Sequence, residues 1–108
     1  MNDIHTQVSV PQEHPSLPGH FPGHPVVPGV VLLNLVFDAI RAELGTTTTL
    51  QAIVSTKFLR AVKPESQIDI HVKFVADEPN RWKARFTAAH ASEPVLEGSF
   101  LVTTEQAA

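Results

Sequence analysis

Two periodicities divide this chain. From Ile68 onward apolar residues recur at every second position. Ile68, Ile70, Val72 and Phe74 alternate with Asp69, His71 and Lys73, and Trp82, Ala84, Phe86 and Ala88 alternate with Arg81, Lys83, Arg85 and Thr87. A period of two predicts strands with one face against a core. Leu96, Gly98, Phe100 and Val102 mark a last strand, Leu50–Val62 a less regular one, and residues 5–10 a short first one. The breaks Lys63-Pro64-Glu65-Ser66, Asp77-Glu78-Pro79-Asn80 and Ala91-Ser92-Glu93-Pro94 carry turn chemistry. Such short connections predict antiparallel hairpins.

Ahead of the strands the pattern is apolar on nearly all sides. It predicts a helix from Pro28-Gly29 to Leu44, stopped by Gly45. Val30, Val31, Leu32, Leu33, Leu35, Val36, Phe37, Ala39 and Ile40 leave polar residues at Asn34, Asp38 and Arg41, on one narrow stripe. A helix of that kind is expected to be buried on nearly every side. Residues 11–29 hold six of the nine prolines and three of the five glycines, which makes a stiff loop. Compact domains seldom keep so long a loop without a use for it. The expected fold class is α+β, an antiparallel sheet wrapped round one long apolar helix.

Composition narrows the function classes. The 108 residues are expected to form one domain, 1–108, whose modest core makes association a natural supplement. A hydrophobic content of 43% fits a globular chain. The net charge of -3 gives no bulk attraction for nucleic acid. With no cysteine there is no disulfide, no thiolate nucleophile and no Cys-ligated metal. The six histidines follow no metal-binding spacing, so no metal is expected. The N-terminus lacks a basic region followed by an apolar run, and Val30–Ile40 falls short of the roughly 20 residues that span a bilayer. A cytoplasmic protein without membrane contact is expected. All eight Lys and Arg lie from Arg41 onward, which leaves room for a local basic face on outward strand positions.

His20 stands at the mouth of the stiff loop, directly before the apolar segment. A titratable base held rigidly beside a greasy tunnel suits chemistry on a fatty acyl group. His14 and His24 read as hydrogen-bonding loop residues, and His5, His71 and His90 as ordinary strand or turn residues.

His20-Phe21-Pro22-Gly23-His24-Pro25-Val26-Val27-Pro28-Gly29-Val30, followed by the helix and by Lys57-Phe58-Leu59-Arg60-Ala61-Val62-Lys63-Pro64, resembles the hotdog-fold β-hydroxyacyl-acyl-carrier-protein dehydratases. The resemblance covers roughly residues 13–104. It implies a dimer with edge-joined sheets and two tunnels at the interface. It implies loss of water from a 3-hydroxyacyl thioester on a phosphopantetheine arm, carried by an acyl carrier protein or coenzyme A, with no other cofactor. His20 matches the catalytic histidine. Val26 matches the position whose carbonyl orients that ring. Gly29, with Val30 beside it at the substrate, matches the amide that holds the thioester carbonyl. The family's acidic carriers would land on Lys57, Arg60 and Lys63, which flank the matching strand and turn.

Asn34 matches the family's catalytic Asp or Glu, contributed by the partner subunit, and here the chain departs from the pattern. A neutral imidazole can take the α-proton, and a free helix N-terminal N–H can stabilise the enolate. The leaving hydroxyl then needs a proton, which an amide does not supply. Three readings stay open. The chain is a weakened dehydratase, with water or Asp38 one turn along the stripe as proton source. It pairs with a different hotdog chain that carries the acid. Or it is an acyl thioesterase or a non-catalytic subunit that binds acyl carriers.

Overall fold

The computed structural model of this chain describes residues 3–10 and 26–104. In chain order the elements are β1 (Ile4–Val8), α1 (Gly29–Leu44), β2 (Thr49–Phe58), β3 (Ile68–Glu78), β4 (Arg81–His90) and β5 (Glu93–Thr103). The strands form one antiparallel sheet in the order β1-β3-β4-β5-β2. Helix α1 packs on one face of it, through a core that includes Val31, Leu32, Val36 and Ile40 from the helix and Ile70, Val72, Phe86 and Phe100 from the sheet. This is the α+β arrangement expected from the pattern, and it agrees with the hotdog fold that the resemblance implies. The described residues extend over 51 × 26 × 21 Å, with a radius of gyration of 14.5 Å.

The element ends move for local reasons. β1 stops at Val8 rather than Val10, yet Val10 stays buried and its carbonyl accepts from Glu65 N–H at 2.7 Å. β2 stops at Phe58 rather than Val62, because the N–H groups of Leu59 and Arg60 both turn to the Val95 carbonyl, at 2.9 and 3.4 Å. β5 begins at Glu93 rather than Leu96, which shortens the expected turn to Ala91-Ser92. Both have positive φ, 50° and 66°, the backbone sign of the primed two-residue hairpins whose twist matches the strands. Pro94 is accommodated within β5 beside an irregularity in the β4 register, as a strand residue without an N–H requires.

Two glycines act by what they leave empty. A Cβ at Gly98 would collide with the Ser55 carbonyl oxygen and lie 2.9 Å from Phe86 Cζ. Its absence lets β2 close on β5 and lets the Phe86 ring settle against Phe100, centroid to centroid 4.6 Å. The second, Gly29, belongs to the site described below.

The helix is not buried on every side, contrary to the expectation from its composition. The sheet of one chain covers only the face carrying Val31, Leu32, Val36 and Ile40. Val30 is 63% exposed, and Asn34 and Asp38 are exposed as well. Edge strand β2 is similar, with Ile53, Val54 and Phe58 each more than half exposed. Large apolar side chains beside a strand edge left unpaired among the described residues make a surface suited to association.

Candidate active site

Chain entry into α1 sets the geometry. Val27 is buried, and its N–H donates to the Val62 carbonyl at 2.8 Å, tying the end of the loop to the segment after β2. Pro28 is the N-cap, with φ -59° and ψ 144°, and supplies no side-chain cap. Its carbonyl accepts from Val31 and Leu32, at 3.0 and 3.4 Å. Among the described residues the N–H groups of Gly29 and Val30 have no acceptor outside the helix. No acidic residue occupies the first turn. The positive end of the helix dipole is therefore uncompensated by these elements, which favours negative charge placed there.

The Phe58 ring covers this terminus. A Cβ at Gly29 would lie 2.6 Å from Phe58 Cε1 and 2.7 Å from Cζ. An open cleft of about 430 Å³ runs alongside, lined by Val27, Gly29, Leu32, Phe58, Leu59, Arg60, Ala61 and Val62. Its walls are apolar except for Arg60, whose guanidinium pairs with Glu93 at 3.1 Å in an exposed ion pair. Pairs of that kind contribute little to stability, so Arg60 is readily recruited by another anion.

Asn34 points elsewhere. At about 100° per residue, two residues after Leu32 is roughly 200° round the helix, on the side away from the cleft. Leu32 is buried where it lines the cleft, while Asn34 is exposed. Asp38 shares its stripe. Arg41 does not complete a polar pathway there: it turns to the helix end, donating from Nη2 to the Thr46 carbonyl at 3.0 Å, with its guanidinium 6.0 Å from the Phe37 centroid. Asn34 and the cleft of the same chain are thus on different sides of one helix.

The structure brings Gly29 and Arg60 to one cleft, with Val30 next to Gly29 in the first turn but exposed, and Val26 three residues before Gly29. His20 lies outside the described residues, as do His14 and His24. The three cationic residues expected to share one landing site are divided. Arg60 lines the cleft, Lys63 is exposed in the following turn, and Lys57 stands on the opposite face of the sheet, in register with Glu97. Sequence reasoning missed the place of Phe58, and two irregularities in the β2 register, between Leu50 and Ala52 and between Ile53 and Ser55, keep simple alternation from giving its side. Among the described residues no three His, Asp or Glu side chains gather as metal ligands, and no helix is long and apolar enough to cross a membrane.

Comparison with known proteins gives the same direction. Residues 1–99 match the ApeI-like family, described as ApeI dehydratase. A 3-hydroxyacyl-[acyl-carrier-protein] dehydratase FabZ of Granulibacter bethesdensis is 36% identical over 91 residues, 76% of this chain and 54% of that protein. The protein of the same name from Anaeromyxobacter sp. is 32% identical over 86% of this chain and 66% of its own length. That from Rickettsia massiliae is 33% identical over 85% and 69%. The chain thus spans about half to two thirds of the length of these relatives. Among solved structures, an (R)-hydratase of A. caviae superposes with a TM-score of 0.82 at 13% identity, covering 96% of this chain and 95% of that one. The dehydratase heterocomplex ApeI:P of Xenorhabdus doucetiae gives 0.74 at 17% identity, covering 94% and 87%. The fluoroacetyl-CoA thioesterase FlK also gives 0.74, at 16% identity, covering 94% and 84%. At such identities these likenesses show the fold alone.

Proposed function

Since this chain belongs to the ApeI-like dehydratase family, we propose that it removes water from a 3-hydroxyacyl group held as a thioester on the phosphopantetheine of an acyl carrier protein or coenzyme A. The observation that carries this reading is the helix start. The N–H groups of Gly29 and Val30, without an acceptor among the described residues outside the helix, open beside an apolar cleft that suits an acyl chain. A thioester carbonyl hydrogen-bonded there gains most when it becomes an enolate, because the charge develops at the positive end of the dipole. His20 takes the α-proton as a neutral imidazole, oriented by the Val26 carbonyl. The C–O bond to the β-hydroxyl then breaks, and the hydroxyl leaves as water once a proton reaches it.

Asn34 does not supply that proton. Its place across the helix from its own cleft supports a site shared between two chains, in which residue 34 of one faces the cleft of the other. In a homodimer both sites then carry Asn34, and elimination is slowed by the missing acid, typically by about 10²–10⁴. In a heterodimer with a second hotdog chain the partner brings the acid to the His20 site. The exposed apolar side chains of β2 support pairing through that edge in either case. The carrier lands on Arg60 and Lys63 beside the cleft, with Lys57 further round the sheet, and the protein works in the cytoplasm.

Following hydration of an enoyl thioester alongside release of free thiol tests the reading. Hydration that disappears in His20→Ala supports it. Thiol release without hydration would establish a hydrolase instead, and binding without either reaction a non-catalytic subunit.

A further inference from the structure

The sheet has a second face, turned away from α1, and its charge is unlike that of the rest of the chain. Lys57 of β2, Lys73 of β3 and Lys83 and Arg85 of β4 line one open cleft of about 740 Å³ on it, together with His71. These are four of the eight Lys and Arg of a chain whose net charge is -3. Glu97 is the one carboxylate on the lining. Among the described residues none of the four takes part in an ion pair; the pairs formed are Arg60–Glu93, Arg81–Asp77 and Arg81–Glu78. The nearby carboxylate of Asp69 accepts a hydrogen bond from Gln7 Nε2 at 2.7 Å.

Strand register concentrates this charge. Lys73 stands directly opposite Arg85, and Arg85 is two residues from Lys83 on the same side of β4. Like charges facing each other across strands destabilise a sheet, and a merely solvated surface mixes its signs. Ser99, opposite Arg85, hydrogen-bonds Ser55 at 3.2 Å between hydroxyl oxygens, and Thr87 lies opposite Glu97. His5 stacks on His71, ring centroids 3.9 Å apart, at the β1 side of the face.

Shape and charge together select the partner. The face runs across four strands, about 14 Å from β3 to β2. It is open, whereas small-ligand pockets enclose most of their ligand. Half-exposed Val54 lies on the lining, and Val75, also half exposed, opposes Lys83. Apolar contacts set among charges are the make-up of a protein interface. Two such faces repel each other, so a second copy does not cover it. The acidic balance elsewhere on the chain opposes a long nucleic acid that would run beyond the patch.

We propose that this outer face docks an acidic protein surface, separate from the cleft at Gly29 and open while that cleft is occupied. Carboxylates of the partner pair with Lys73, Lys83 and Arg85, and its apolar side chains rest on Val54 and Val75.

The probe is a fluorescein-labelled peptide of sixteen alternating Glu and Ala residues, titrated into the full chain at low salt and read by anisotropy, with amide chemical shifts locating it. The expected result is shifts centred on residues 71–73, 83–87 and 97–99. Affinity should fall at least tenfold in the Lys73→Gln/Arg85→Gln chain and stay unchanged in Thr46→Glu/Thr47→Glu, which makes the same change in net charge on the exposed turn after α1, both checked for native melting. Retained affinity in the first chain, or equal loss in both, would overturn the proposal, the latter as bulk charge alone. A single-stranded thymidine 20-mer, or vesicles of phosphatidylcholine with one third phosphatidylserine, binding the same amides more tightly than the peptide would also overturn it, in favour of that class of partner.

Discussion

The ring of Phe58 fills the space that any side chain at residue 29 would need, its Cε1 and Cζ lying 2.6 and 2.7 Å from where a Cβ would sit. One position is thus empty so that an aromatic ring from the edge strand can cover the helix start. The two residues are 29 apart in sequence and meet only in the fold. Phe58 is 51% exposed, so the ring has room to move aside, but only by giving up this contact.

Gly29→Ala should therefore cost about 1–3 kcal/mol of stability, even though alanine is the better helix former. Phe58→Ala in the same chain should recover most of it. Denaturant unfolding of the four chains of this cycle measures the coupling. Losses that simply add would mean that the ring is not what excludes a side chain at residue 29.

Gly98→Ala should be the more damaging of the two glycine changes, by about 3 kcal/mol or more. The obstacle here is the backbone carbonyl of Ser55, which has no rotamer to change. Hydrogen exchange should show the amides of residues 49–58 losing protection first, since among the described residues β2 pairs with β5 alone. Uniform loss across the sheet would place the strain elsewhere.

Pairing through β2 predicts that charge on that strand prevents association. Ile53→Lys/Val54→Lys should give a folded monomer by light scattering at micromolar concentration, while the parent chain is a dimer. Both side chains are more than half exposed in the single chain, so the change should leave the fold intact. A parent chain that is itself monomeric would remove the shared-site account with it.

Asn34→Asp should raise enoyl hydration above the parent, and His20→Ala in the same chain should abolish the gain. Asp and Asn are close to isosteric, and residue 34 is exposed in the single chain, so melting should barely shift. A dehydration rate unmoved by a well-folded Asn34→Asp would take residue 34 out of the acid position.

Much of the fold was legible because the sheet's alternation and the helix's apolar run are local signals. The strand period from Ile68 to Phe74 and from Arg81 to Ala88 reappears in β3 and β4, and α1 ends at Leu44 as Gly45 implied. What was not legible depends on register and on partners. Val30 read as core because it is apolar, yet one five-stranded sheet has only one face to offer the helix, and Val30 is 63% exposed. Lys57, Arg60 and Lys63 read as one landing site because they flank the strand and turn that carry the resemblance, but strand alternation and the end of β2 send Lys57 to the other face. Conversely, Lys73, Lys83 and Arg85 were each visible as outward positions. Only the pairing of β3 with β4 shows that they form one cluster. The place of Phe58 over Gly29 had no local signal, since neither residue type announces the other.

The length of the molecule also bears on how its assembly is measured. A chain of the size of the described residues, packed as tightly as is usual, has a radius of gyration of about 12 Å, against 14.5 Å for these residues, whose longest dimension of 51 Å is about twice the next. Such a particle tumbles slowly about its short axes and leaves a gel-filtration column early, as a heavier sphere would. A monomer therefore imitates part of the elution shift of a dimer. Two chains joined edge to edge through β2 add their breadth across the strands rather than along them, so dimerisation rounds the particle while doubling its mass. Elution volume and mass then move out of proportion, and scattered intensity rather than retention distinguishes one chain from two.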